Sequence, residues 1–461
     1  MMARSKGITI SVKVPIAWER LTRRKQQRLR QIVGRDTRVI RTLLGIIEQH
    51  ERKLLLGKSQ LRIDDGKLDK LTMTAFKVRK GYPQRTYVLH DIKQRFPRTS
   101  VNEISECRST AIALYESYLR LRKDTKYNPS RPCANNTSRR IPRWVFSQRF
   151  RLVETPNKKI RWWLDLRDSL DSAPAQKMIH DRLLIPLKMS PFHRRQLERG
   201  EIKALQIYTE SSGKWWVTFA VRLSVTESPH DSLPPAVIGI DLGIEKAACG
   251  SVVIPEKVSE TRFFLQEDKK EKIRKLDKRV SDLQREMQSR VTSGCSCDDV
   301  AYLLRKYRNK RERVSIEHDR VLVRQIIDFV NEMSKKYSVY VAIGRLKHIR
   351  LSAKKGNFTG RRFRGLVHKW AFARITKSLQ HQLAQAGFNV DGKDSRFHVV
   401  SEAWTSILCW KCGKKGNRPR QNLFVCPTCG SKCNADMNGA INIAGRLITL
   451  TKSLHSVRGL G

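Results

Sequence analysis

Residues 399–445 read VVSEAWTSILCWKCGKKGNRPRQNLFVCPTCGSKCNADMNGAINIAG, and the rest of the chain is best understood outward from them. Two Cys-x2-Cys pairs, Cys409/Cys412 and Cys426/Cys429, stand thirteen residues apart. Each pair bends the backbone so that both sulfurs face one point, and two such knuckles form a tetrahedral thiolate set for one structural Zn²⁺. Gly413 and Gly430 follow the knuckles by one residue, and Pro427 sits inside the second, which favours metal turns over disulfides. Cys433 comes one short turn later and is read as a spare thiol. Directly after the ribbon, Asp436 leads into an apolar helix from Ala440 to Leu447. Taken alone, that carboxylate would be a helix cap.

The composition places this stretch in a protein built to meet a polyanion. Among 461 residues, 93 Lys and Arg face 43 Asp and Glu, a formal charge of +50. A compact chain with that excess repels itself, so the expected partner is nucleic acid, bound in a salt-dependent way. Nine tryptophans and 39% hydrophobic residues argue for folded domains and exclude a basic disordered tail. No apolar run of about 18 residues is present, so no membrane span is expected. The first residues lack an apolar signal core, and the cysteine usage fits a reducing interior; a cytoplasmic, nucleoid-associated protein is expected.

Going along the chain, Ile8–Val14 alternates as a strand, and Trp18–Leu56 turns helical with Leu29, Val33, Ile47 on one stripe. Residues 20–41 carry nine Lys/Arg and one acid, with Arg23, Arg24 and Arg28 as candidate nucleic-acid contacts. A second amphipathic helix is expected over 101–123. Residues 143–222 look strand-rich, the last two strands forming a hairpin through Glu210–Gly213. A linker at 224–235 is the expected domain boundary. Then an apolar strand, Ala236–Ile240, ends in Asp241, and a carboxylate at the end of a buried strand is costly unless it holds a cation. Two long charged helices follow over 267–337, then a strand (338–343), a basic loop, a helix (368–386) and a strand (397–401). Residues 345–374 hold ten Lys/Arg and no acid, with Arg361, Arg362 and Arg364 as candidate phosphate contacts.

Three motifs in combination carry a resemblance: Gly239-Ile-Asp241-Leu-Gly243, Thr405-Ser406 before the ribbon cysteines, and Asp436-x-Asn438-Gly439-Ala440-x-Asn442-Ile443. Over 236–447 the chain resembles TnpB, the transposon-encoded RNA-guided nuclease, and its relatives, the miniature type V CRISPR effectors. The resemblance implies a multidomain α+β fold. A wedge-like N-terminal β-barrel (1–17 and 141–225) would be interrupted by a helical recognition lobe (18–140). An RNase H-like RuvC domain (236–400 and 432–461) would follow, carrying an inserted zinc ribbon (401–431). It further implies a guide RNA, a double-stranded DNA target chosen by base pairing, and two catalytic Mg²⁺ ions held by clustered carboxylates. Some miniature effectors of this size pair up, which leaves a homodimer open.

The chain departs from the family at the second acidic motif. A catalytic glutamate is expected at the end of that strand, and Ala342-Ile343-Gly344-Arg345-Leu346 offers Gly344 instead. In one reading Glu402 fills the gap, because it closes a neighbouring strand and parallel strands present their carboxyl ends together. The catalytic set is then Asp241, Glu402 and Asp436. In the other reading the chain is a nuclease-dead, RNA-guided DNA-binding protein. A DNA transposase acting without RNA is a third alternative, which the ribbon's placement and the basic N-terminal lobe argue against.

Overall fold

In the computed structural model the described residues are 8–57, 60–73, 76–79, 82–85, 88–123, 128–132, 140–156, 159–169, 181–210, 213–223, 233–243, 246–255, 257–345, 371–392, 394–451 and 454. The fold is mixed α and β and falls into two compact units, Met1–Ser224 and Val225–Gly461.

In the first unit the strand Thr9–Pro15 alternates exposed and buried residues and pairs antiparallel with Trp215–Leu223. That strand forms a hairpin with Gly200–Thr209, closed at Gly213, whose φ of +78° suits glycine. The short strand Val145–Phe146 completes a four-stranded sheet. Immediately afterwards the 3-10 turn Ser147–Arg149 moves the chain into a second, three-stranded sheet, Phe150–Glu154, Trp162–Asp168 and Asp181–Leu187. The expected barrel is therefore corrected: among the described residues the two sheets stay separate. A single bridge, Ile16 with Leu187, joins their ends, too little to close a ladder. The strand Asp181–Leu187 and the helix Pro191–Leu197 were not anticipated from the sequence.

The helices Arg23–Gln49 and Val101–Lys123 pack through Ile40, Leu43, Ile47, Ile104, Ala111 and Tyr115. Their contact also buries charge. Arg35 grips Asp168 with both guanidinium arms at 3.0 Å, and its Nε donates to Asp36 at 3.0 Å. Arg143 donates to Glu106 at 2.8 Å and reaches Asp36 and Asp168 as well, while Arg149 pairs with Glu103.

The second unit is built on a five-stranded sheet. Its spatial order is Lys257–Phe264, Ala248–Ile254, Pro235–Asp241, Ser338–Arg345, Phe397–Ser401. The first three strands are antiparallel and the last two join in parallel. Alternation sorts the central strand between two cores. Ile238 and Ile240 face a layer containing Ile326, Phe329 and Leu379, from the helices Asp298–Ser334 and Phe372–Gln385. Val237, with Ala342 and Val400 from the neighbouring strands, faces Ile443 and Leu447 of the helix Ala435–Leu450. The long helices Glu267–Thr292 and Asp298–Ser334 meet through Leu283, Val300 and Leu304.

Candidate active site and metal centre

The ribbon cysteines come together as the spacing predicts. All four sulfurs lie within 4.8 Å of one another. Cys409 and Cys429 are 3.7 Å apart and Cys412 and Cys426 3.5 Å apart. A tetrahedral zinc with Zn–S bonds of about 2.3 Å needs sulfurs about 3.8 Å apart, so the set fits one such ion. Local backbone makes the fit. Gly413 and Gly430 take φ of +69° and +71°, and each donates its N–H to the first cysteine of its knuckle, at 2.9 and 3.0 Å. Cys433 stands outside the set and is partly buried.

Asn434, and not Asp436, caps the following helix: its side chain accepts the N–H groups of Asp436 at 3.0 Å and Met437 at 3.4 Å. The capping explanation for Asp436 thus falls away, and its carboxylate points elsewhere from the first turn. Two further side chains fasten this helix to the ribbon. Buried Asn438 accepts from the Trp410 N–H at 3.0 Å and donates to the carbonyls of Thr405 and Leu408. One turn on, Asn442 donates to the same two carbonyls at 2.8 and 2.7 Å. Their i,i+4 spacing puts both amides on one face, so the ribbon's entry segment is pinned to the Asp436 helix.

Asp241 ends the central strand on the face that meets this helix. Close approach there depends on two glycines. A Cβ on Gly239 would stand 1.9 Å from the Ala440 carbonyl oxygen, and one on Gly439 would stand 2.5 Å from Asp241 Oδ2. Strand and helix backbones are in contact, which brings the Asp241 and Asp436 charges together.

Gly344 lies on the adjacent parallel strand, opposite Val400. Counting by twos, Asp241, Gly344 and Glu402 extend the same face as Gly239, Ala342 and Val400. Glu402 fills the space a side chain at 344 would take. A Cβ there would fall 1.9 Å from Glu402 Oε1 and 2.3 Å from its Cγ. Glu402 Oε1 is shut off from solvent and has no hydrogen-bond partner among the described residues.

The electrostatics follow from this crowding. Burial first, then the Asp436 charge, pushes Asp241 up to about 7, with Arg418 working in the opposite direction. Burial and then Asp241 push Glu402 up to about 8. Lys246 Nζ lies 3.7 Å from Asp436 Oδ2 and over the Phe263 ring at 3.9 Å. Among the described residues only the cysteines bring their ligand atoms within 4.8 Å of one another, so the three carboxylates form a looser group than the thiolates. An orphaned buried carboxyl oxygen beside a second strained acid is the surrounding a hard divalent cation relieves, and oxygen ligands suit Mg²⁺. The three acids therefore fit such ions chemically.

The other candidates separate. Arg23 and Arg24 are exposed at the start of their helix, whereas Arg28 is buried and offers no open surface. Arg361, Arg362 and Arg364 lie outside the described residues. Lys246, Asn438 and Asn442 were not singled out for these contacts from the sequence. The i,i+4 asparagines, both on a helix that opens beside a metal ribbon, were the available signal.

Residues 372–443 match the family model of the Cas12f1-like TNB domain. A TnpB-like protein of Aquifex aeolicus (strain VF5) is 27% identical over 148 residues, 31% of this chain and 44% of that protein. The CRISPR-associated endodeoxyribonuclease Cas12f1 of Sulfoacidibacillus thermotolerans is 25% identical over 252 residues, 53% of each. The chain spans about half the length of the curated relatives it matches. In fold, it resembles the protein in a cryo-EM structure of a Cas12f1–sgRNA–target DNA complex. The TM-score is 0.59 at 14% identity, over 95% of this chain and 99% of that one. Among the described residues no helix is long and apolar enough to cross a membrane.

Proposed function

We propose that the chain, which is similar to the TnpB/Cas12f-like RNA-guided nucleases and matches their TNB zinc domain, cuts guide-selected DNA at Asp241, Glu402 and Asp436. The observation that carries the proposal is Glu402 folded into the space above Gly344, with Oε1 buried and unpartnered beside Asp241. The sheet order, three antiparallel strands and then two parallel ones with Asp241 on the central strand, supports an RNase H-like domain of the RuvC type. Glu402 then supplies from the edge strand the carboxylate that Gly344 does not.

Two Mg²⁺ ions at this group would supply an activated water and charge stabilisation at the leaving oxygen. The chain's own part is to gather carboxylates from a strand end, a strand exit and a helix start. The zinc ribbon, through Asn438 and Asn442, holds the helix that carries Asp436. The guide RNA is assigned to the basic N-terminal unit, where Arg23 and Arg24 are exposed, and the DNA target to base pairing with it. The basic segment with Arg361, Arg362 and Arg364 is assigned to phosphates. Self-association into a homodimer is part of the proposal to be measured.

A second reading is favoured by the looseness of the carboxylate group and by Gly344 itself: a nuclease-dead protein that binds guide-selected DNA. Plasmid cleavage by the RNA-copurified protein with Mg²⁺ decides between them. Cutting abolished by both Glu402→Ala and Asp241→Ala is the expected result. Cutting that survives Glu402→Ala removes Glu402 from the site. Guide-dependent binding without cutting establishes the second reading.

A further inference from the structure

Two non-glycine residues among those described have a positive φ, Gln60 at 51° and Trp404 at 69°. A bulky side chain is disfavoured there and persists only where its surroundings over-determine it. They do so at Trp404. The Thr405 N–H and Oγ1 donate to the Glu402 carbonyl at 3.2 and 2.9 Å. The N–H groups of Ile407 and Leu408 both donate to the Trp404 carbonyl at 3.0 Å, and Arg446 donates to the Ala403 carbonyl. This locked turn does not bury its side chain, because Trp404 is 59% exposed. By contrast Trp410, six residues on, packs against the core. Lys415 Nζ stands 5.9 Å from the Trp404 ring centre. An aromatic face is thus presented to solvent, beside a cation, two residues beyond Glu402.

We propose that Trp404 is a stacking platform for one base of single-stranded DNA, positioning the adjoining phosphate at the carboxylates; this rests on the nuclease reading above. Every base offers a π-face once it is out of the duplex, and a neighbouring lysine suits the phosphate that follows. Bases in an intact duplex are already stacked, so the platform favours a strand displaced by the guide. Trp404 is a positioning residue: it holds the strand and takes no part in bond breaking.

The test uses the full chain with its copurified RNA, carrying Trp404→Phe, Trp404→Ala or Trp404→Gly, each also combined with Asp241→Asn. Single-stranded DNA with 2-aminopurine at successive positions reports stacking through fluorescence quenching. Quenching at one or two adjacent positions is expected with Trp404 or Trp404→Phe. Trp404→Ala should lose it and bind the DNA about tenfold more weakly. Trp404→Gly should melt no lower than the unsubstituted protein, since glycine favours that φ. Unchanged quenching and affinity in Trp404→Ala overturns the inference. So does a clear drop in melting temperature for Trp404→Gly, which would mark a packing role, or quenching of a probe in the guide RNA in place of the DNA. Stacking is read in protein that does not cut. A lack of cleavage therefore defeats the nuclease reading alone, and cleavage with unaltered stacking in Trp404→Ala defeats this inference alone.

Discussion

In the N-terminal unit, buried Asp168 has both carboxyl oxygens on the arms of Arg35, with Arg143 beside them. In the C-terminal unit, Glu402 has one buried oxygen with no hydrogen-bond partner among the described residues, and Asp241 sits near a second acid. The arginines hold Asp168 well below the usual carboxylate range, while burial and neighbouring acids push Asp241 and Glu402 up to about 7 and 8. Both arrangements bury charge, and only the first satisfies it from within the chain. A complete network ties elements together: Arg35 and Asp36 from one helix, Glu103 and Glu106 from another, Asp168 from a strand. An incomplete one leaves room for a cation from outside, and that is the difference between the two clusters.

The contrast predicts opposite signs for neutralising substitutions. Arg143→Met removes the guanidinium that serves Asp36, Glu106 and Asp168 and leaves those acids buried. Breaking one side of such a buried pair costs about 3–5 kcal/mol, so chemical denaturation should show a large loss of stability. Asp241→Asn in Mg²⁺-free buffer at about pH 8–9, where Asp241 is ionised, should instead raise the melting temperature by a few degrees, because it removes a buried charge that lacks compensation. A stabilised Arg143→Met or a destabilised Asp241→Asn would dissolve the distinction.

Next in size is the exchange of positions across the two parallel strands. Gly344→Ala forces its Cβ into the Glu402 side chain and should lower cleavage more than tenfold without unfolding the sheet. Losing even an outer partner of a metal ligand costs about 10–100-fold. The double substitution Gly344→Glu/Glu402→Ala returns the carboxylate to the strand end and should recover activity over Glu402→Ala alone. Plasmid-cleavage rates of the three proteins check this. No recovery would mean that the strand exit at Glu402, and not merely the space above Gly344, is required.

What the sequence made legible follows the range of each interaction. The zinc set is written in two four-residue turns, and Gly413 and Gly430 sit where left-handed backbone is needed. Asp241 was legible because an apolar run ends in it. Gly344 showed as a gap against the family's second acidic motif, and the rule that parallel strands present their carboxyl ends together made Glu402 the candidate to fill it. Contacts over long separations were not legible. Arg35 lies 133 residues from Asp168 and Arg143 107 from Asp36, so Arg35, in a helix read as a basic face, turned out to be buried in a pair, and Arg143 was not singled out at all. Gly239 and Gly439 read only as motif residues, yet they let a strand and a helix touch. The barrel failed for a similar reason: strand-rich sequence does not reveal that the turn at Ser147–Arg149 starts a second sheet.

A smaller effect lies in the pH dependence of the Mg²⁺-free protein. Asp241 and Glu402 titrate near 4 when unfolded and at about 7 and 8 when folded. Between those limits the native state binds more protons than the unfolded chain, so stability falls as pH rises and the loss is complete above about 8. Thermal melts from pH 6 to 9 should show this slope in the C-terminal unit's transition. Mg²⁺ should reverse it, and Asp241→Asn with Glu402→Gln should flatten it. Asp168 and Glu103, which the neighbouring arginines hold below the usual carboxylate range, should add no such slope in the same window.

The smallest effect concerns the one side-chain cation seen within 4 Å of the acids among the described residues. Lys246 is held over Phe263 and reaches Asp436 at 3.7 Å, with about a quarter of each side chain exposed. A pair this open to water contributes about 0–1 kcal/mol. Lys246 therefore competes only weakly with a metal for Asp436, in contrast to the arginines that fully neutralise Asp168. Lys246→Met keeps a long side chain on the Phe263 ring while removing the charge. Mn²⁺ titration of that variant, followed by electron paramagnetic resonance, should show a few-fold tighter binding, in line with so weak a pair. If binding weakens instead, Lys246 helps to assemble the carboxylates, and the C-terminal cluster is closer to the satisfied network of the other unit than its orphaned Glu402 oxygen implies.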